Sequence, residues 1–166
     1  SEDCVMDNFN LDPWAGGAMI QTAENVAGAS GISREQCDEL TVRRFQQYQQ
    51  ALEQDRAFQK GYMFPVELKI SRKQTLTVDA DEGVMECTAE GLAKLHPVIP
   101  NGVHTFGTQT HPADGQCAMT LTTRDKAMEL SEDPNRIIRI LSYGYARAKK
   151  AHMAMAVTPA SQMALE

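Results

Sequence analysis

The residues with the most chemical promise cluster in one loop, Phe106-Gly107-Thr108-Gln109-Thr110-His111-Pro112-Ala113-Asp114-Gly115. It holds two hydroxyls, an imidazole and a carboxylate, the parts from which a nucleophile, a base and an orienting acid are made. Their spacing does not assemble such a set: Thr108, Thr110 and Asp114 make no recognised relay, and His111 is a loop residue at the edge of whatever the loop faces. Taken alone, the segment reads as a polar turn that closes through an Asx-type Asp114-Gly115 pair onto the next extended run. Cys4, Cys37, Cys87 and Cys117 show neither a CxxC pair nor a disulfide rhythm. They read as reduced, buried, structural thiols of a cytosolic protein. His96, His104 and His152 have no spacing to Cys, Asp or Glu that suggests a metal site, so no metal is expected.

The elements that must position this loop follow from the pattern on either side of it. Residues 1–16 are polar and turn-rich, with Asp12-Pro13 and Gly16-Gly17 as breaks, and read as loop. Residues 19–28 suit a short helix that Gly28 to Gly31 interrupt. Ser33 with Gln36 forms a capping box, and Glu35, Asp38 and Glu39 lie where the helix dipole favours negative charge. Cys37, Leu40, Thr41, Phe45, Tyr48 and Leu52 then recur at helical steps, which predicts one long amphipathic helix ending near Gly61. Tyr62 to Ile70, with Pro65, suits an edge strand, and Leu76 to Val78 a second extended piece. Thr88 caps a short helix through Leu95, and Pro100-Asn101-Gly102 makes a turn before the loop.

Beyond the loop, Cys117 to Thr122 and Ile137 to Tyr143 are apolar and β-prone, and both read as strands. Thr123 caps a helix through Leu130 between them. A last helix opens with Thr158 as N-cap and Pro159 at the first helical position, and runs to Glu166 without a C-cap signal, which predicts an excerpt of a longer sequence. Trp14, Met153 and Met155 are expected in the core. Strand, helix, strand, helix marks a layered α/β unit confined to the last third, with a long, mainly helical insertion before it.

The 166 residues carry a net charge of −6 and only short basic runs, Arg43-Arg44, Arg72-Lys73 and Lys149-Lys150. No phosphate-tracking stripe is present, which argues against nucleic acid as partner. No apolar run approaches the roughly 20 residues of a membrane span, and Ser1 does not open a signal peptide.

Two segments resemble the thiolase family. Met19, Thr22-Ala23-Glu24-Asn25-Val26-Ala27 and Ile32-Ser33-Arg34-Glu35-Gln36-Cys37-Asp38 match its Met-Gly-x-Thr-Ala-Glu-Asn-Val-Ala segment and the Ile-Ser-Arg-Glu-x-x-Asp helix start that follows it. Gly107, Asp114 and Gly115 fit its Gly-Asn-Ala-Ser-Gly-x-x-Asp-Gly loop, with Thr110 at the serine position beside the pantetheine arm. Gln109, His111, Pro112 and Ala18 depart from the pattern and mark a divergent subgroup.

The resemblance implies a fragment of a thiolase-like layered α/β/α fold with a mainly helical cap. Residues 1–105 would be the cap or loop domain, 106–135 the end of the N-terminal half and 136–166 the start of the C-terminal half. It further implies an acetyl-CoA acetyltransferase-type parent acting on acyl-CoA in fatty acid metabolism, with coenzyme A as carrier, cytoplasmic and homo-oligomeric. Met19, Arg72, Phe106, Gly107 and Thr110 would line the CoA site. The family's reactive cysteine and histidine regions have no counterpart in these residues, so this chain contributes no catalytic residue and is expected to be inactive alone. Two other readings stay open: a non-catalytic CoA or lipid-binding relative, and an oligomerisation segment in which Phe45 and Tyr48 face a partner.

Overall fold

The computed structural model describes residues 3–110 and 117–166, with the side chains of residues 4–6 left out; His111, Pro112, Asp114 and Gly115 lie outside the described residues. Two compact units divide between Ala113 and Asp114.

In the first unit, α1 (Cys4–Asn10) replaces part of the expected N-terminal loop, and Asp12 then turns the chain by accepting from the amides of Trp14 (2.9 Å) and Ala15. α2 spans Met19–Ser30. Gly28 does not interrupt it: the helix ends at Gly31, whose φ of 64° is the left-handed C-cap geometry that glycine adopts without a Cβ penalty. α3 (Arg34–Ala51) starts on the expected capping box, with Gln36 N donating to Ser33 Oγ (3.3 Å) and Ser33 N to Gln36 Oε1 (2.9 Å).

The expected single helix to Gly61 is instead two. α4 (Glu53–Lys60) begins with Gln54, Asp55 and Arg56 in left-handed conformation. No glycine or proline marks the break, which is held by side-chain bonds formed across the fold. Arg56 donates to Gln59 Oε1 (2.9 Å) and to the Asp79 carbonyl, and the fully buried Gln59 donates to Asp81 (2.7 Å).

β1 (Val66–Lys69) and β2 (Thr75–Val78) pair antiparallel, Val66 opposite Val78 and Leu68 opposite Leu76, so one face of the hairpin is apolar and the other carries Glu67, Lys69 and the threonines. α5 (Ala89–Ala93) is capped by Thr88 Oγ1, which accepts from Gly91 N (3.1 Å). Its other end is closed by Arg34, whose Nη2 donates to the carbonyls of Leu92 (2.7 Å) and Leu95 (3.0 Å) while Nε pairs with Asp38 (2.8 Å). The guanidinium thereby satisfies carbonyls that a short helix leaves open. α3 packs against α4, α5 and the single 3₁₀ turn Phe106–Thr108.

The second unit holds α6 (Arg124–Leu130), capped by Thr123 Oγ1, and α7 (Val157–Leu165). α7 starts before the expected Thr158 cap because a 3₁₀ turn, Met153–Ala156, leads directly into it. The stretches 117–122 and 137–143 are not strands: neither forms a ladder among the described residues, and β-prone sequence becomes strand only through a partner backbone. Their side chains are correspondingly open, with Met119 at 81% and Ile138 at 85% exposure. The segment after 137 is held to α7 by close approach, since a Cβ on Gly144 would overlap the Ala160 carbonyl, and Ser142 Oγ donates to the Ala164 carbonyl.

Burial corrects the expectations for Trp14, the two methionines and the cysteines. Trp14, Met153 and Met155 are surface residues, because no element covers them in their own unit. Cys117 is exposed on its unpaired segment; Cys37 and Cys87 are half-buried. Among the described residues no helix is long and apolar enough to cross a membrane, and no three of His, Cys, Asp or Glu gather as a metal site.

Candidate functional site

The five residues singled out from the sequence all fall in the first unit, on three different supports. Met19 is the first residue of α2 and is half-buried. Phe106 and Gly107 form the 3₁₀ turn, with Thr110 just beyond it; Phe106 is 75% exposed, its ring open on one side. Arg72 lies exposed at the tip of the β1–β2 hairpin.

The 3₁₀ turn is held from two sides. On one, Gly107 sits against α5 so closely that a Cβ there would overlap Leu92 Cδ2 and lie 2.8 Å from Leu95 Cδ1. On the other, Thr105 is fully buried and pins the turn through its own bonds: Gly107 N donates to Thr105 Oγ1 (3.2 Å), and Thr105 N donates to Thr108 Oγ1 (3.0 Å). Upstream, Val98 N donates to the His104 carbonyl (2.9 Å), and Pro97 bridges Thr105.

This segment is joined to α2 by one carboxylate. Val103 N donates to both oxygens of Glu24 (3.0 and 2.9 Å), and His104 N donates to Oε1 (2.9 Å). Met19 and the Phe106–Thr110 segment are therefore brought into one framework. Arg72 is not: its hairpin is tied to α4 through Asp79 and Asp81. In the sequence Glu24 stands out only as part of the matched Thr22–Ala27 segment; its partners are amides far along the chain, just after the Pro100-Asn101-Gly102 turn, where a Cβ at Gly102 would stand 2.5 Å from Glu24 Oε1.

The electrostatics set this framework apart from a reactive thiol centre. Burial, and then the Asp38 and Glu24 carboxylates, push the Cys37 thiol above its ordinary value, and burial with Asp38 does the same to Cys87. A raised thiol is less nucleophilic at neutral pH than an ordinary one. A separate groove of about 440 Å³ lies in the second unit between the 117–122 and 137–140 stretches and α6, lined by Met119, Leu121, Leu130 and Ile137 among others. It shares no residue with the five.

The family model for the thiolase N-terminal domain matches residues 2–125. The chain belongs to the thiolase family. It is similar to the 3-ketoacyl-CoA thiolase of Idiomarina loihiensis, at 34% identity over 155 residues that make up 92% of this chain and 39% of that protein. It is likewise similar to the human mitochondrial 3-ketoacyl-CoA thiolase, at 32% identity over 150 residues, 89% of this chain and 36% of the relative. The chain thus spans well under half the length of these curated thiolases. The crystal structure of the human mitochondrial 3-ketoacyl-CoA thiolase superposes on 98% of this chain and 41% of its own with a TM-score of 0.68 at 24% identity, which shows the thiolase fold. The thiolase-like α/β class expected from the sequence is the class found, with helices and a small sheet, although the strand, helix, strand, helix order expected in the last third is not formed among the described residues.

Proposed function

We propose that this chain is the part of a thiolase-type acyl-CoA acyltransferase, of the acetyl-CoA acetyltransferase kind, that forms one wall of the CoA and acyl cleft. The observation that carries this reading is the framework of α2 and the Phe106–Thr110 segment joined through Glu24, built from the residues that match the family motifs. Met19 offers a flexible thioether to an apolar acyl or pantetheine chain. Phe106 offers an open ring, Gly107 lets the turn seat closely on Leu92 and Leu95 behind it, and Thr110 supplies a hydroxyl that donates to or accepts from a pantetheine amide. Arg72, on its separate support, presents a planar guanidinium suited to phosphate at the nucleotide end. These donors fit the chemistry of acyl-CoA as substrate.

On this reading residues 1–105 are cap, 106–135 close the N-terminal half and 136–166 open the C-terminal half. The cysteine that takes the acyl group and the histidine that activates it belong to the remainder of the enzyme. The intact protein is a cytoplasmic homo-oligomer of fatty acid metabolism. The test is to assay the chain with acetyl-CoA and acetoacetyl-CoA and, in parallel, to titrate it with CoA. Saturable CoA binding without turnover is expected. Turnover would overturn the assignment of this chain as a non-catalytic wall, and absence of CoA binding would overturn the wall itself.

A further inference from the structure

We propose that Glu24 is the positioning residue of this wall: it fixes the 102–110 segment in register on α2, so that Met19 and Phe106–Thr110 respond as one body. The ligand side of this inference rests on the function proposed above; the coupling does not.

The argument starts from what the segment lacks. Residues 101–105 have only the isolated Pro97–Thr105 bridge in place of a strand ladder, and Asn101 turns the chain with a φ of 60°. The amides of Val103 and His104 therefore need an acceptor from elsewhere, and the same carboxylate takes both. Bonds to a carboxylate are stronger than neutral ones, and two consecutive donors aimed at a single group fix orientation as well as distance. Gly102 is the space through which the carboxylate reaches them: with a Cβ there, Glu24 Oε1 would have to move. From Thr105 onward the buried Thr105 bonds both Gly107 and Thr108, which ties the 3₁₀ turn to the end of the segment that Glu24 holds. In the other direction Glu24 and Met19 share one α-helix, separated by about one and a half turns. A shift at Glu24 must reach both ends.

Glu24→Gln is the informative variant, since it keeps the shape but removes the negative charge both amides face and sets an NH₂ group against one of the two donors. In the full chain labelled with ¹⁵N and methyl-¹³C methionine, the amides of Val103 and His104 should exchange at least tenfold faster. The Met19 methyl resonance should shift, and the amides of α7 should stay unchanged. Gly102→Ala, whose Cβ would crowd the Oε1 that accepts from both amides, should displace the same signals and decides the question if Glu24→Gln does not fold. Thr123→Ala, a cap loss in the other unit, controls for general destabilisation and should move neither. If the Val103 and His104 amides exchange as in the wild type, or the Met19 methyl does not respond, the proposal falls. With CoA as probe, a Kd raised tenfold or more in Glu24→Gln supports positioning, and an unchanged Kd beside a binding wild type overturns it. Should the wild type bind no CoA, the functional reading fails while the exchange data still decide the coupling.

Discussion

At Gly107 the support of the candidate site comes down to one missing methyl group, because the α-carbon rests on Leu92 and Leu95. Gly107→Ala overpacks that contact and should cost about 1–3 kcal/mol. Leu92, 4% exposed, should cost about 2–5 kcal/mol when cut to alanine. The double variant should recover part of the sum, and a denaturation cycle with a coupling below about 0.5 kcal/mol would show that the two residues do not meet. The thiols give a second residue-level expectation. Cys37 and Cys87 are half-buried and held protonated at neutral pH, while Cys117 is exposed. In a Cys4→Ser background, iodoacetamide should label Cys117 well before the other two. Raised thiols stabilise the fold only below the pH at which an ordinary thiol ionises, so stability should fall as pH rises beyond that point.

At the level of elements, Arg34 links two helix ends, and Arg34→Ala leaves the Leu92 and Leu95 carbonyls without that donor. A loss of about 1–3 kcal/mol is expected by urea denaturation, with α5 the part that loosens by hydrogen exchange. The start of α3 carries a pH signature. The backbone amide of Glu35 and then the Ser33 hydroxyl hold the exposed Glu35 carboxyl below its usual range. Its contribution is therefore present above the ordinary carboxylate pKa and lost as pH falls through the depressed one. Denaturation of Glu35→Gln against wild type should show a difference at pH 7 that vanishes under acid, and a constant difference would contradict it. These ends were legible in the sequence because a cap is local: Ser33 with Gln36, Thr88 and Thr123 each declare themselves within three residues. The two extended pieces of the hairpin were legible, and their antiparallel pairing was not. The break between α3 and α4 was not legible either, since Arg56 and Gln59 are held by Asp79 and Asp81, more than twenty residues further along the chain. Of the site, the residue types were readable and the Glu24 bridge was not, for the same reason.

Across the whole molecule, apolar surface is open in both units, and in the second it gathers on one stretch. Ile138, Leu141 and Tyr143 are each at least 76% exposed on a stretch with no ladder. Exposed apolar surface of this kind is rare on a monomer and binds hydrophobic dyes. The chain should enhance the fluorescence of anilinonaphthalene sulfonate, and Ile138→Asp with Leu141→Asp should diminish that signal while leaving the far-ultraviolet helical spectrum intact. Unaltered dye binding would place the exposed surface elsewhere. The first unit also exposes apolar side chains, Trp14 and Phe64 among them, and joins its elements with polar bonds at Glu24, Arg34 and Gln59.

The turn of Gln54, Asp55 and Arg56 has a chirality that its residues do not share. With φ values of 54°, 56° and 61°, three successive L-residues trace a path that their mirror images would follow without strain. Chemical synthesis with D-glutamine at position 54 should therefore raise the melting temperature, an inversion that would break any ordinary helix. Here the enantiomer is the better fit.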